Sequence, residues 1–299
     1  MIPLFDLHCD TLFELYKNNS SIDSNNLHIS YNKARCYSPY IQIGAIWSDK
    51  ALNDKEAYCQ YQRVINYISS QNIFFATKAS LLRERSFILA IEDARILCND
   101  ISILDELYSD GIRILGLNWS GVNSIGGAWD TTASLTSFGK DVVKRCCELG
   151  IIVDISHSNE KTSKEVIALC KLMGGYVIAS HSNAFGVFKH YRNLSDELFY
   201  MLKDTNSIVG ISLATIHLGN FDVDISCVLK HIEHFLMLGG ENNICLGCDF
   251  DGVDKLPAGI NSIADLTKLY EKVKFAFGEF FCKKLFFSNA YHFICSALK

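Results

Sequence analysis

Residues 150–157 read Gly150-Ile151-Ile152-Val153-Asp154-Ile155-Ser156-His157, an aliphatic run that breaks into polar, chemically versatile side chains. The run is continuous rather than alternating, as parallel strands covered on both faces require. A helical pattern follows, with Val166, Ile167, Leu169 and Cys170 on one side of a turn. The same unit recurs in both directions. Strands are expected at Leu4–Leu7, Ile41–Trp47, Phe87–Ile91, Ile112–Leu117, Ile151–Ile155, Tyr176–Ala179, Ile208–Leu213 and Ile244–Gly247. Helix signals fill the gaps. Asn53, three residues before Glu56, opens a segment carrying Tyr61, Val64, Ile65 and Ile68, and Thr162 with Glu165 repeats that capping-box pattern. Ser195 is placed to cap a helix holding Leu198, Phe199 and Leu202, and Val228, Ile232, Phe235 and Leu236 form another stripe. Strand then helix, repeated about eight times without a compositional break, predicts a closed (β/α)8 barrel (a TIM barrel) as one domain over residues 1–299. A doubly wound open sheet is the alternative, because sequence does not show closure.

The composition suits that architecture. Of 299 residues, 49% are hydrophobic and 20% charged, which excludes a disordered chain. A net charge of −5 offers nothing to a phosphate backbone, so no nucleic-acid partner is expected. The twelve cysteines lie mostly in apolar runs and read as buried, reduced thiols. That usage points to a reducing compartment. The N-terminus meets Asp6, His8 and Asp10 at once, unlike a signal peptide, and no apolar run approaches a membrane span. A cytoplasmic protein without a membrane partner is expected.

In a barrel of this kind, chemistry belongs at the C-terminal ends of the strands. The first expected strand ends in His8-Cys9-Asp10, with His8 and Asp10 pointing one way and Cys9 the other. The third ends at Glu92, the fifth at Asp154-Ile155-Ser156-His157, the sixth at Ser180-His181 and the eighth at Cys248-Asp249. One such histidine or aspartate is usually a hydrogen-bonded structural residue. Together they form an imidazole and carboxylate collection suited to zinc or a similar divalent ion. Carboxylates are in surplus for one ion, which favours a pair sharing a bridging carboxylate. Glu92, the longer acid of the set, suits the bridge.

The segments Asp6-Leu7-His8-Cys9-Asp10-Thr11, Gly111–Leu117, Gly150–His157, Ser180-His181-Ser182-Asn183, Arg192-Asn193-Leu194 and Asp249-Phe250-Asp251-Gly252-Val253 carry a resemblance. In their order and spacing the chain resembles the membrane dipeptidase (renal dipeptidase) family of zinc peptidases, within the amidohydrolase superfamily. The resemblance implies two zinc ions, with His8 and Asp10 on one, His157 and His181 on the other, and Glu92 bridging both. It implies Asp249 as the catalytic carboxylate and Arg192 as the group binding the substrate's terminal carboxylate. The implied substrates are dipeptides, with tolerance of a D-configured C-terminal residue. A planar guanidinium fork matches a carboxylate, which agrees with the role implied for Arg192. Asp251 has no implied catalytic role and is expected to brace its loop.

One position departs from the animal members, which carry a histidine where this chain has Trp119. Bacterial relatives resemble the chain in placing tryptophan there. An indole N–H donates a hydrogen bond but accepts no proton. The glycines between Gly121 and Gly127 lack the lysine of a phosphate loop, and Cys245-Leu246-Gly247-Cys248 lacks a second cysteine pair. His217 is placed to line a pocket or to pack in a loop. His28, His190 and His292 show no pattern, and His231 with His234 is expected on a half-exposed helix face. Aromatic residues near the C-terminus, including Phe280, Phe281, Phe286 and Phe293, read as helix core with an exposed fraction open to a homodimer. Two other functions compete with dipeptide hydrolysis: metal-dependent hydrolysis of another carboxylate-bearing amide or lactone, and a barrel that binds without catalysis.

Overall fold

The computed structural model describes residues 1–299. Eight parallel strands close into a barrel in chain order. They are β1 (Ile2–Cys9), β2 (Tyr37–Trp47), β3 (Arg85–Glu92), β4 (Ile112–Gly116), β5 (Ile152–Asp154), β6 (Val177–Ala179), β7 (Ile208–Ile211) and β8 (Ile244–Leu246). Closure is direct, with Asp6 of β1 facing Leu246 of β8. The open sheet is thereby excluded. The helices are α1 (Thr11–Lys17), α2 (Asp54–Ser69), α3 (Ser102–Ser109), α4 (Ser137–Leu149), α5 (Glu160–Met173), α6 (Asp196–Asp204), α7 (Thr215–Leu218), α8 (Ile225–Met237), α9 (Leu266–Phe277), α10 (Glu279–Lys283) and α11 (Asn289–Ala297).

Several expected strands shorten in the structure. Ile151, Ile155 and Leu213 are buried yet lie outside β5 and β7. An apolar run records burial, which continues past the last ladder hydrogen bond. β2 instead begins earlier than expected, because Tyr37 pairs with Ile2 and Tyr40 with Arg85.

Two cores result. The larger fills the space between strands and helices and includes Cys9, Leu89, Val153 and Val209. The smaller occupies the lumen, where Phe5, Leu7, Ile43, Ile88, Ile114, Ile152 and Ile178 meet. α11 closes the floor of the lumen with Ala290, Phe293, Ile294 and Ala297.

Caps set the helix entries. The box between Asn53 and Glu56 forms in both directions, at 3.1 and 2.9 Å. Ser195 accepts from the Leu198 N–H at 3.2 Å. The expected box at Thr162 does not form. Asn159 caps α5 instead, accepting from the Thr162 N–H at 2.8 Å. Thr162 is thus already inside the helix, and Glu165 accepts from the Leu135 N–H at 3.2 Å, tying α5 to the loop before α4. His231 is corrected too: it is wholly buried on α8, while His234 pairs with Asp196 at 2.7 Å.

Candidate active site and metal centre

The period of a strand makes lumen residues recur in steps of two, so Ile88 and Ala90 lead to Glu92 and Ile152 leads to Asp154. β1 would break this rule. Phe5 and Leu7 face the lumen, so regular alternation would turn His8 and Asp10 outward. An irregularity prevents it: Asp6 pairs with Gln42 and Cys9 with Gly44, three residues against two. Leu7 and His8 therefore both face inward, Cys9 packs in the outer core, and Asp10 follows His8 to the mouth.

All five sequence-predicted metal ligands meet at that mouth, and Asp249 joins them. Around His8 Nε2 lie Asp10 Oδ2 at 3.6 Å, Glu92 Oε1 at 3.7 Å and Asp249 Oδ1 at 3.8 Å. These separations approach the roughly 3.4 Å edge of a tetrahedron with ~2.1 Å bonds. Beyond Glu92, His157 Nε2 stands 2.8 Å from Glu92 Oε1 and 2.9 Å from His181 Nε2. Glu92 thus belongs to both clusters, and the residues form a candidate binuclear metal site. Asp249 lies within ligand distance of His8 and His181, a placement that the resemblance alone did not indicate.

The tautomers follow from the outer hydrogen bonds. His157 Nδ1 donates to the Trp119 carbonyl at 2.9 Å, which leaves a lone pair on Nε2. Asp154 accepts the Ser180 hydroxyl, so Ser180 Oγ is free to accept from His181 Nδ1 at 2.8 Å. His181 Nε2 is then a lone pair as well. Two nitrogen lone pairs and a carboxylate oxygen converge, with Arg192 Nη2 the one donor that reaches them, at His157 Nε2. His8 Nε2 and Asp10 Oδ1 are buried without any hydrogen-bond partner. Electron-rich atoms aimed at one another in this way fit divalent cations.

The electrostatics agree. Burial, reinforced by Glu92, raises Asp10 to about 6, and burial with Asp10 and Glu92 raises Asp249 to about 7. Burial also raises Glu92. It opposes the charging of His8, but the three carboxylates outweigh it and lift His8 to about 10. His157 and His181 are pushed down, first by burial and then by neighbouring positive charge. Each shift records the cost of gathering like charge away from water, a cost that cations between the carboxylates would relieve.

The loop after β8 is stitched to β1. Asp249 N–H donates to His8 O, and Asp10 N–H donates to Phe250 O. Asp251 braces this loop as expected, accepting from Thr11 Oγ1 and the His28 N–H, both at 2.6 Å. Asp249 and Asp251 both have positive φ, 62° and 67°. A Cβ at Gly252 would run into Asp10 Oδ2 and Asp249 Oδ1, so only glycine lets the chain pass so close to these carboxylates.

Outside the cluster opens a cavity of about 340 Å³, at the small end of ligand pockets. His157, Asp249 and Arg192 line it, with Trp119, Trp129 and His217. Arg192 is buried, its Nη2 donates to His157 Nε2 at 2.9 Å, and its Nη1 has no partner. Trp119 stacks on His157 at 6.2 Å and meets Trp47 edge-on at 5.4 Å. Lys50, His190 and Lys255 also line the cavity without having been singled out from the sequence. His190, two positions before Arg192 in one loop, carried the only available signal. The Gly121–Gly127 loop is held by Asn123, which accepts from the Ile125 and Gly126 N–H groups. Those amides are thereby engaged and leave no phosphate cradle. Cys245 is a buried β8 residue, and no cysteine forms a disulfide.

A family model for the membrane dipeptidases, peptidase family M19, matches residues 1–292. The chain belongs to that family. Among similar curated proteins, an uncharacterized dipeptidase of Schizosaccharomyces pombe is 30% identical over 261 residues, 79% of this chain and 63% of that protein. An uncharacterized protein encoded in the pqqA 5′ region of Klebsiella pneumoniae is 31% identical over 184 residues, 57% of this chain. The latter match spans 66% of that protein, so the matching part of the chain spans just under two thirds of either relative. Two solved structures share the fold. The M19 metallopeptidase dipeptidase AC superposes with a TM-score of 0.90 at 24% identity, covering 99% of both chains. A metallopeptidase of Rhodobacter sphaeroides, bound to a phosphinate mimic of L-Ala-D-Ala, gives 0.89 at 23% identity, covering 100% of this chain and 99% of that one. No helix of this chain is long and apolar enough to cross a membrane.

Proposed function

We propose that this chain is a zinc-dependent dipeptidase that cleaves dipeptides with a free C-terminal carboxylate and tolerates a D-residue there. The observation that carries it is the convergence of His157 Nε2, His181 Nε2 and Glu92 Oε1 beside the His8, Asp10 and Glu92 cluster, in a cavity that also holds Arg192. Family membership and the dipeptide mimic bound by the Rhodobacter sphaeroides protein support it.

In this proposal His8 and Asp10 would hold one ion and His157 and His181 the other, with Glu92 shared between them. Bound zinc supplies Lewis-acid activation of a water and of the scissile carbonyl. Asp249 faces both the ligand cluster and the cavity, so its carboxylate takes the proton of the attacking water and returns it to the leaving amine. Arg192 turns its unpartnered Nη1 toward the substrate's terminal carboxylate. Trp119 and Trp129 wall the cavity and limit its water. Asp154, through Ser180, keeps the His181 lone pair on Nε2.

Metal analysis of the purified protein tests the first half, with two ions per chain expected. Hydrolysis of a panel of L,L and L,D dipeptides, each with a free or an amidated C-terminus, tests the second. Amidation should lower kcat/KM by about tenfold or more, the scale of a lost charge-assisted contact. Equal rates for free and amidated substrates would remove Arg192 from the proposal. A cytoplasmic location belongs to the same proposal, supported by twelve free thiols, and so does a homodimer, supported by exposed Phe280. Fractionation and sedimentation velocity test these.

A further inference from the structure

The cavity is more basic than one terminal carboxylate requires. Lys50, Arg192 and Lys255 line it, against a single acid besides Asp249, that of Asp254. Neither lysine is ion-paired within the chain. Lys50 extends over the face of Trp119, 5.8 Å from the ring centre, on the side of the cavity reached from β2. The loops after β6, β7 and β8 contribute His190, Arg192, His217 and Lys255 to the same lining.

His190 and His217 stand there with their ring centres 4.8 Å apart. His190 Nδ1 accepts the backbone N–H of Arg192 itself, at 3.2 Å. The ring proton is therefore on Nε2, making that atom a donor. The His190 ring lies between Phe188 and Trp129, at 6.5 and 6.0 Å, which restricts its tilt. His217 is fixed through its backbone: its carbonyl accepts from Asn193 Nδ2 at 2.8 Å, and the next carbonyl, Leu218 O, accepts from buried His231 at 3.3 Å. Its imidazole, by contrast, has no hydrogen bond to any protein atom. A ring anchored by its main chain and left unsatisfied at its polar edge, beside a cavity, is arranged for a ligand. Burial keeps both rings below the usual histidine range, so each offers an N–H donor at neutral pH.

We propose that His190, His217 and Lys255 form a second carboxylate subsite beside Arg192, selecting dipeptides whose C-terminal residue is aspartate or glutamate. The inference rests on the dipeptidase proposal and narrows its substrate class. Arg192 takes the terminal carboxylate through its free Nη1, and the side-chain carboxylate, one or two methylenes away, meets the two imidazoles and the lysine. The hydrogen bond from the Arg192 backbone to His190 couples the two binding groups, which places the acidic side chain on the C-terminal rather than the N-terminal residue.

The test uses the metal-loaded enzyme with Ala-Asp, its near-isostere Ala-Asn, Ala-Ala and the reversed Asp-Ala, with the C-terminal residue in both configurations. Ala-Asp should exceed Ala-Asn in kcat/KM by about ten- to a hundredfold, mostly through KM. His217→Asn and Lys255→Met should each shrink that ratio toward one. Calorimetric binding of free aspartate against free asparagine gives a readout that needs no turnover, and aspartate should bind more tightly. Equal values for Ala-Asp and Ala-Asn, a preference for Asp-Ala over Ala-Asp, or an unchanged ratio in both variants would overturn the subsite. If no dipeptide is hydrolysed, the dipeptidase proposal fails, and the comparison of aspartate with asparagine still decides the subsite.

Discussion

The floor and the mouth of this barrel are made from the same strands and have opposite chemistry. At the floor, Ile88, Ile152, Ile178 and Ile208 pack with Phe293 and Ile294 of α11 in a buried apolar cluster. At the mouth, the same strands end in or lead to Glu92, Asp154, His181 and other buried polar groups, several without partners. Strand periodicity delivers both in β3 and β5, where inward positions at the floor lead to inward positions at the mouth, while β1 needs its irregularity to do the same. The contrast teaches that stability and chemistry are separated along the barrel axis. Raised carboxylates at the mouth mark free energy spent against folding, while burial at the floor contributes in the other direction.

The largest test breaks the mouth without touching the floor. Asp249→Asn should lower kcat by about 10²- to 10⁴-fold, the range for losing general acid–base catalysis, while the ions and the fold persist. Parent-like turnover in that variant would end the proton-transfer role. The converse is Ile294→Ala on α11, expected to destabilise by about 2–5 kcal/mol in chemical denaturation. Turnover per folded molecule should remain at the parent value, because nothing at the mouth depends on that side chain.

A third test concerns a brace beneath the mouth. Buried His231 accepts from the Ala184 N–H at 3.0 Å and donates to Leu218 O, and burial lowers it from 6.5 to about 4. As pH falls through 6.5 the unfolded chain gains this proton while the native state does not. The stability linked to His231 is therefore full above pH 6.5 and declines between about 6.5 and 4, by roughly 3 kcal/mol in all. His231→Gln should flatten that part of the denaturation profile relative to the parent. The smallest effect is expected from Trp119→Phe. His157 is oriented by the Trp119 backbone carbonyl, so metal stoichiometry should be unchanged while kcat/KM shifts a few-fold, about 1 kcal/mol.

Much of this contrast was legible in the chain. The aliphatic runs located all eight strands, and the polar residues after them located His8, Asp10, Glu92, His157, His181 and Asp249. The rest depended on events that leave little trace in a linear pattern. Helix α5 starts three residues earlier than Thr162 suggested, because Asn159 accepts the Thr162 N–H and so makes Thr162 part of the first helical turn. His231 sits on an amphipathic stripe yet is buried, since the loops after β6 and β7 fold over it. Lys50, His190 and Lys255 come from three separate loops, and no spacing relates them.

The inward turn of His8 and Asp10 marks the boundary most clearly. The sequence by itself determined the succession of parallel strands and helices and the identity of the polar residues at the strand ends, because periodicity and side-chain chemistry are local properties. Only the tertiary structure decided where those side chains point and what they share. The extra residue between Asp6 and Cys9 in the β1–β2 pairing, the placing of Glu92 between two clusters and the gathering of His190 and His217 beside Arg192 all arise from contacts between distant segments. Such contacts are set by closure of the barrel, which no single stretch of chain encodes.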